Sequence, residues 1–374
     1  MDEKRVTYLI GAGASANALP VVNGMNDRMK YFVEKLRKID SQLNEYSSPI
    51  FDDLKSILEK INSHLTIDTY AKKLWYKKDL KNYNLLKRFL SCYLLFEQVD
   101  KESEFAFLQS YEVNKTNFKI DKNLELKINQ QLDSRYDSFF ATLLNNNKLL
   151  NPNINIVSWN YDMQFELAYS DFNFDRYNIG MIQDMLQVFP TAHINNYVDY
   201  NKSAIIKLNG TCNFINDINN STFDIINEKF YAKNFSKVLL EVLIDENHNI
   251  ISQLEFAWEN DKQVNKAREY AHFIVSNSDI IVIIGYSFPT FNREVDRYIF
   301  SRFNDSHLFR TENDTNILNI DTASKLTNSK KIYIQDTPQN APKIKERLKA
   351  IGNNLFDVAE IYDDVDQFLI PYEL

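Results

Sequence analysis

Five short runs of consecutive apolar residues punctuate the chain: RVTYLI (Arg5–Ile10), NINIVS (Asn153–Ser158), SAIIKL (Ser203–Leu208), DIIVII (Asp279–Ile284) and KIYIQ (Lys331–Gln335). They lack the sustained polar alternation of strands with one wet face. Such runs belong to strands buried on both sides, as in a parallel sheet covered by helices. A last strand is expected over Phe356–Tyr362. Between the runs, apolar positions repeat at helical spacing in MNDRMKYFVEKLRKI after Gly24, in YDMQFELAY, DKQVNKAREYAHFIVSNS and REVDRYIFSRF, and in APKIKERLKAIG, which ends at Gly352. Strand and helix therefore alternate. The pattern predicts an α/β fold built on a doubly wound, Rossmann-like parallel sheet.

Two stretches break the alternation. Residues 41–146 contain no glycine and carry heptad-like patches such as LKSILEKI and NYNLLKRFLSCYLLFEQV. They read as several helices inserted between the first and second strands, forming a second lobe. Residues 215–260 read as an irregular insertion with some helix. There is no internal repeat and no Gly/Ser-rich or Pro-rich linker, so 1–374 reads as a single domain carrying two insertions.

Composition sharpens this picture at one point. The chain has 7 glycines in 374 residues, where average usage would supply roughly 26. Those retained mark positions that do not tolerate a Cβ, through positive φ or close backbone approach. Gly11, Gly210 and Gly285 each directly follow a strand or lie just beyond it, and doubly wound sheets bind ligands beyond the carboxyl ends of their strands. GAGASA (Gly11–Ala16) fits the dinucleotide fingerprint G-x-G-x-x-G/A, whose glycines make a tight turn and let the backbone approach a pyrophosphate. A plain strand-to-helix turn would use the same residues. A dehydrogenase also places an acidic residue about 20 positions on, at the end of a second strand; no convincing strand follows here, which argues against hydride transfer. On this reading Gly13→Val abolishes dinucleotide binding without unfolding the chain.

Charge and cysteine content exclude other classes. Lys+Arg is 43 against Asp+Glu 51, a net charge of −8. A nucleic-acid binder is usually basic, so no direct nucleic-acid binding is expected, and any contact is local or delivered by a partner. Cys92 and Cys212 form neither a disulfide framework nor a four-cysteine zinc site. No apolar run reaches the length of a signal or a membrane span, so a cytoplasmic protein is expected.

Three further strand ends carry polar motifs: SWNYD (Ser158–Asp162), KLNGT (Lys207–Thr211) and IGYSFP (Ile284–Pro289). With GAGAS and the Pro20 that follows it, they resemble the sirtuin-like family. Its pattern is a GAG-x-S loop with a proline soon after, an N-x-D motif, an H-G motif and a late G-[TY]-S motif. The order matches from residue 5 to about residue 336. The branch found in bacterial anti-phage defence carries GAGAS, NYD and GYS in nearly these forms. The resemblance implies a Rossmann-like fold of sirtuin type and an NAD glycohydrolase, which cleaves NAD to nicotinamide and ADP-ribose. It implies that Gly11, Ala12, Gly13 and Ser15 cradle the NAD phosphates and that Pro20 lies over the nicotinamide side. Asn160 would hold the attacking water or the ribose hydroxyl, and Asp162 the nicotinamide amide. Gly285, Tyr286 and Ser287 would meet the adenosine ribose, and Asp336 the adenine end. Asn209 and Gly210 occupy the H-G motif.

Two departures matter. The zinc ribbon of deacetylating sirtuins is missing, which disfavours a protein deacylase. The family's general-base histidine is Asn209 here, and an amide cannot take the ribose hydroxyl proton. Losing such a base costs about 10²–10⁴-fold in rate. The alternative reading is therefore an NAD- or ADP-ribose-binding module, natural or trapped by substitution. Asn160 and Asp162 also have plain uses, as a polar cap after a strand and as an N-cap. Of the five histidines, His193 is the one substitute placed near the third strand. Short chains of this kind resemble those paired with a HerA-type DNA-translocating ATPase, as higher-order oligomers.

Three features lie outside these motifs. YAKKLWYKKDLKNYNLLKRF (Tyr70–Phe89) is basic with interleaved aromatics and reads as a solvated helix face with an aromatic core side, or as a docking surface for another subunit. Cys212 reads as a small buried filler or a reactive thiol. Asp363, Asp364 and Asp366 read as a charged tail.

Overall fold

The computed structural model describes residues 4–20, 22–43, 49–98, 132–172, 179–191, 197–216, 221–222, 232–244, 250–303 and 330–374. The chain enters through strand β1 (Val6–Ile10) and a single 3₁₀ turn (Ala12–Ser15). Helices α1 (Val22–Leu43), α2 (Ile50–Asn62), α3 (Ile67–Tyr76), α4 (Leu80–Glu97) and α5 (Ser134–Leu143) follow. Thr66, Asp79 and Asp133 cap α3, α4 and α5 by accepting from backbone N–H groups in the first turn. The core then resumes with β2 (Ile154–Ser158), α6 (Gln164–Asp171), α7 (Ile179–Met185), β3 (Val188–Phe189) and β4 (Ile205–Lys207). A small subsheet follows: β5 (Gly210–Asn216), β6 (Ser221–Thr222) and β7 (Ile250–Leu254), with α8 (Ala232–Ile244) between the last two. The chain closes with α9 (Lys262–Asn277), β8 (Ile280–Ile284), α10 (Arg293–Phe300), β9 (Lys331–Gln335), α11 (Ala341–Leu348), α12 (Asn353–Asp357) and β10 (Ala359–Tyr362).

Among the described residues, seven parallel strands form one sheet in the order β10-β9-β8-β1-β2-β4-β3. Successive side chains point to opposite faces of a strand, and the strands distribute their apolar residues accordingly. Val6, Tyr8, Ile10, Ile154, Ile156, Ile280 and Val282 enter one core. Leu9, Val157, Ile206, Ile281, Ile283, Ile332 and Ile334 enter the other. The first core continues into Phe32 of α1, Leu54 of α2 and Phe89 and Tyr93 of α4, so the helical insertion shares its core with this sheet face. The second is covered by Ala267 and Ala271 of α9, Ile299 of α10 and Ile344 of α11. This is the doubly wound arrangement expected from the uninterrupted apolar runs.

Three expectations need correction. Part of residues 215–260 is regular: β7 pairs antiparallel with β5, which pairs antiparallel with β6. β5 starts at Gly210, where φ is +70° and an added Cβ would lie 2.0 Å from the Gln253 carbonyl oxygen. The glycine therefore lets two strands meet, a tertiary reason that local pattern does not display. The final strand begins later than expected, because Asn353–Asp357 forms a helical turn before β10. The two-residue edge strand β3 was not expected; its pairing to β4, rather than its own sequence, makes it a strand.

In the basic aromatic segment, Tyr70, Leu74, Tyr83 and Phe89 are buried, whereas Trp75, Tyr76 and Leu80 are exposed. The lysines Lys73, Lys77, Lys78 and Lys81 are exposed around that turn, as the solvated-face reading expects. No described helix is long and apolar enough to cross a membrane.

Candidate functional site

The chain leaves β1 to build the sheet on one side through β2, and later returns beside β1 with β8, which extends it on the other side. The carboxyl ends of β1 and β8 therefore flank the topological switch point, where doubly wound sheets open a crevice. The ladder continues past the strand ends into the motif loops. Gly11 N–H donates to the Ile284 carbonyl (3.0 Å), Trp159 N–H to that of Ile10 (2.9 Å), Leu208 N–H to that of Ser158 (2.8 Å) and Gly285 N–H to that of Gln335 (3.2 Å). GAGAS, SWNYD, KLNGT, GYS and the β9 end are thus aligned along one edge.

At the β1/β8 junction three of the scarce glycines interlock. A Cβ on Gly11 would lie 2.6 Å from the Gly285 oxygen, and one on Gly13 would lie 2.8 Å from the Gly285 Cα. Gly285 itself has φ +61°, and its Cβ would lie 2.3 Å from the Ala14 nitrogen. The N–H groups of Gly13 and Ala14 are taken by the carbonyls of Gly285 (3.0 Å) and Gly11 (2.9 Å). Close backbone packing, with no ligand present, is enough to require glycine here. The expectation that Gly13→Val spares the fold is therefore revised: its Cβ meets backbone, which cannot swing aside.

Ser15, Asn160 and Asp162 converge behind this junction. Ser15 Oγ donates to Asp162 Oδ2 (2.7 Å) and lies 2.8 Å from the Tyr136 hydroxyl. Asn160 Nδ2 donates to the Gly11 carbonyl (3.0 Å) and to Ser15 Oγ (3.3 Å). Asp162 Oδ1 accepts from Gln164 N–H at the start of α6 (3.3 Å), but the N-cap position itself is Met163, one residue later than expected. All three side chains are buried. Burial raises the Asp162 carboxyl above the usual carboxylate range, opposed by the nearby Lys207 charge and the Ser15 hydroxyl.

The KLNGT loop is fastened to the same segment. Lys207 Nζ, 1 % exposed, donates to the Asp162 carbonyl (2.7 Å) and to Glu166 Oε1 (2.6 Å). Cys212 N–H donates to the Tyr161 carbonyl (2.8 Å). Asn209 Nδ2 donates to the Tyr161 hydroxyl (3.4 Å), whose own hydrogen goes to the Glu255 carbonyl (3.1 Å). Asn209 Oδ1 is buried without a hydrogen-bond partner among the described residues. The Cys212 thiol is fully buried and pushed up to about 12 by that burial, so it is the small filler and no nucleophile.

Other expected residues lie apart from this network. Ala12 and Ser287 are exposed, and Pro20 and Asp336 are half-buried. The Ser287 carbonyl accepts from Arg347 Nη1 (2.7 Å), and Asp336 Oδ1 accepts from Thr337 N–H (2.8 Å). Gly210 serves the β5–β7 contact described above. His193 lies outside the described residues. Tyr286 turns inward: its ring stacks on Trp159 (centroids 5.8 Å apart), and its hydroxyl donates to Asp296 (2.8 Å) while accepting from Asn292 Nδ2 (3.0 Å).

Asp296 is fully buried, and burial pushes its carboxyl up to about 8 despite the Tyr286 and Trp159 donors. The folded-state value lies above that of an unfolded aspartate, about 3.9. The stabilisation from its bound proton is therefore full below about pH 4, falls as pH rises, and is gone above about pH 8. Asp296→Asn cannot ionise and should lack that slope. Thermal unfolding followed across this range is expected to show the variant gaining on the native protein as pH rises; parallel curves would refute the assignment.

Sequence reasoning missed Asp133, Arg135 and Tyr136 at the start of α5, and the Lys207–Glu166 pair. The N-cap aspartate at 133 was readable as a helix start. Nothing local indicates that this helix start grips a loop more than a hundred residues earlier. No protein-family profile matches the chain, and no curated protein is significantly similar to it.

Proposed function

We propose that the carboxyl edge of the sheet binds NAD across the β1/β8 junction and that the chain is a sirtuin-like NAD glycohydrolase. The observation that carries this reading is the convergence at the switch point. The GAGAS loop leaves β1, Asn160 and Asp162 leave the neighbouring β2, and the two segments meet in one buried hydrogen-bonded network. In the proposed reaction, water attacks the anomeric carbon of the nicotinamide ribose. The C–N bond breaks, its electron pair neutralises the pyridinium ring, and the water's proton leaves to solvent or a base. The transition state is a cationic ribosyl species, so catalysis depends on a fixed pose and an oriented water. Asn160 is a neutral amide held by Gly11 and Ser15, which suits that orienting task. Asp162 retains lone pairs beyond those taken by Ser15 and Gln164, which suits a carboxamide donor.

Asn209 favours a second reading. Its Oδ1 can accept from a ribose hydroxyl but cannot remove the proton, so this pocket would bind NAD or ADP-ribose and turn it over poorly. On the first reading the chain is an anti-phage effector that depletes NAD, works as an oligomer, and is switched on by a HerA-type ATPase. The test is nicotinamide release from NAD by the purified chain, alone and with that ATPase, beside calorimetric NAD binding. Release that Asn160→Ala removes is the expected result for the enzyme. Binding with no release under either condition supports the module, and absence of binding overturns both.

A further inference from the structure

The strongest unassigned feature is a buried ion pair that grips the GAGAS loop from behind. Arg135, in the first turn of α5, donates from Nη2 to the carbonyls of Gly13 (3.2 Å) and Ala14 (2.9 Å) and to Asp133 Oδ2 (2.7 Å). Its Nε donates to Asp133 Oδ1 (2.9 Å), closing a two-pronged pair. Asp133 also accepts from the N–H (3.1 Å) and Nδ2 (3.4 Å) of Asn17, just past the loop. Arg135 thus holds loop carbonyls while Asp133 holds a loop amide. Both are buried, Arg135 at 7 % and Asp133 at 0 % exposure. The two carbonyls lie in the 3₁₀ turn; that of Gly13 also accepts a long bond from Ala16 N–H (3.4 Å), and the guanidinium adds a charged donor to both.

The same guanidinium reaches the C-terminal segment. Nη1 donates to the Val365 carbonyl (3.4 Å), and the charge lies 5.4 Å from the Phe368 ring centroid. That segment is pinned by Gln335, whose Nε2 donates to the carbonyls of Asp364 (2.6 Å) and Gln367 (2.5 Å) and whose Oε1 accepts from Leu369 N–H (2.9 Å). Tyr136, next to Arg135, completes the grip through Ser15.

We infer that Arg135 is a positioning residue: it fixes the Gly11–Ser15 loop in its ligand-ready shape, braced by the C-terminal segment Asp364–Leu369. In a trans peptide the C=O and N–H point in opposite directions. Tethering the carbonyls of Gly13 and Ala14 therefore fixes the two peptide units that also carry the N–H groups of Ala14 and Ser15, the first of which closes the turn on the Gly11 carbonyl (2.9 Å). The end of the helical insertion and the C-terminus meet at one side chain, so displacement of either loads the loop. The effect on affinity rests on the NAD reading above; the effect on the loop does not.

The experiment is hydrogen exchange on the ligand-free chain, paired with calorimetric NAD binding. In Arg135→Met, the amides of Ala14, Ala18 and Leu19, which are hydrogen-bonded within the loop region, are expected to exchange at least about tenfold faster, with those of β2 and β8 unchanged. NAD should bind at least about tenfold more weakly, the scale of one hydrogen bond to a charged group. Arg135→Lys, able to reach fewer carbonyls, should fall between. Unchanged loop exchange in Arg135→Met overturns the proposal, as does a loosened loop with unchanged NAD affinity. If Arg135→Met loosens the strands too, Phe368→Leu decides: faster exchange confined to the loop supports the brace, and unchanged exchange overturns it. If the native chain binds no NAD, the dinucleotide reading fails alone, and loop exchange still decides whether Arg135 positions the loop.

Discussion

Gly285→Ala is expected to destabilise the protein by about 2–5 kcal/mol. Two costs add. At φ +61° an L-residue sits in the left-handed region, which costs roughly 1–2 kcal/mol. The new Cβ would also lie 2.3 Å from the Ala14 nitrogen and 2.5 Å from the Gly13 carbonyl carbon. Both are backbone atoms of a loop held by Arg135, so relief requires prising the β1 and β8 ends apart, an overpacking cost of roughly 1–3 kcal/mol. Gly24→Ala is the internal control. Gly24 lies in α1, and among the described residues its Cβ would meet only the Pro20 Cβ, at 3.8 Å. There the lost chain entropy dominates, and a gain of about 0.5–1 kcal/mol is expected. Denaturant unfolding of the two variants checks the contrast. A Gly285→Ala protein as stable as the native one would show that the junction has room.

Asn209→His is expected to raise nicotinamide release by about 10²–10⁴-fold if the pocket is an enzyme's, the usual worth of a positioned general base. The position is suited to the exchange. Asn209 ends the segment after β4, is 6 % exposed, and faces the Tyr161 hydroxyl. An imidazole there can use one nitrogen on that hydroxyl and present the other to a substrate. Initial rates of nicotinamide release, with NAD affinity measured in parallel, separate the readings. A large rise with similar affinity identifies a hydrolase deprived of its base. Unchanged turnover with intact binding identifies a binding module.

These two positions also differ in how far sequence reasoning reaches. That Gly285 could not carry a side chain follows from glycine scarcity and from its place after DIIVII. The reason is the one expected of a retained glycine, positive φ and close backbone approach together. The pyrophosphate expected over Gly11 and Gly13 is not needed to explain them, because each glycine already packs on another loop's backbone. Asn209 was legible as an amide where the resembled family has histidine. Its orphaned Oδ1 and its tie to Tyr161 were not, since both depend on how KLNGT folds against SWNYD.

By itself the sequence determined which segments are strands buried on both faces, which are amphipathic helices, and therefore that the fold is a doubly wound α/β sheet. Those properties are written in nearest-neighbour periodicity, which each segment carries alone. Strand order, the glycine junction, the Lys207–Glu166 pair and the Arg135–Asp133 grip were decided only by the tertiary structure. Each joins residues distant in sequence, and burial makes each pairing obligatory: a charge or carbonyl removed from water must find its partner wherever the fold brings one.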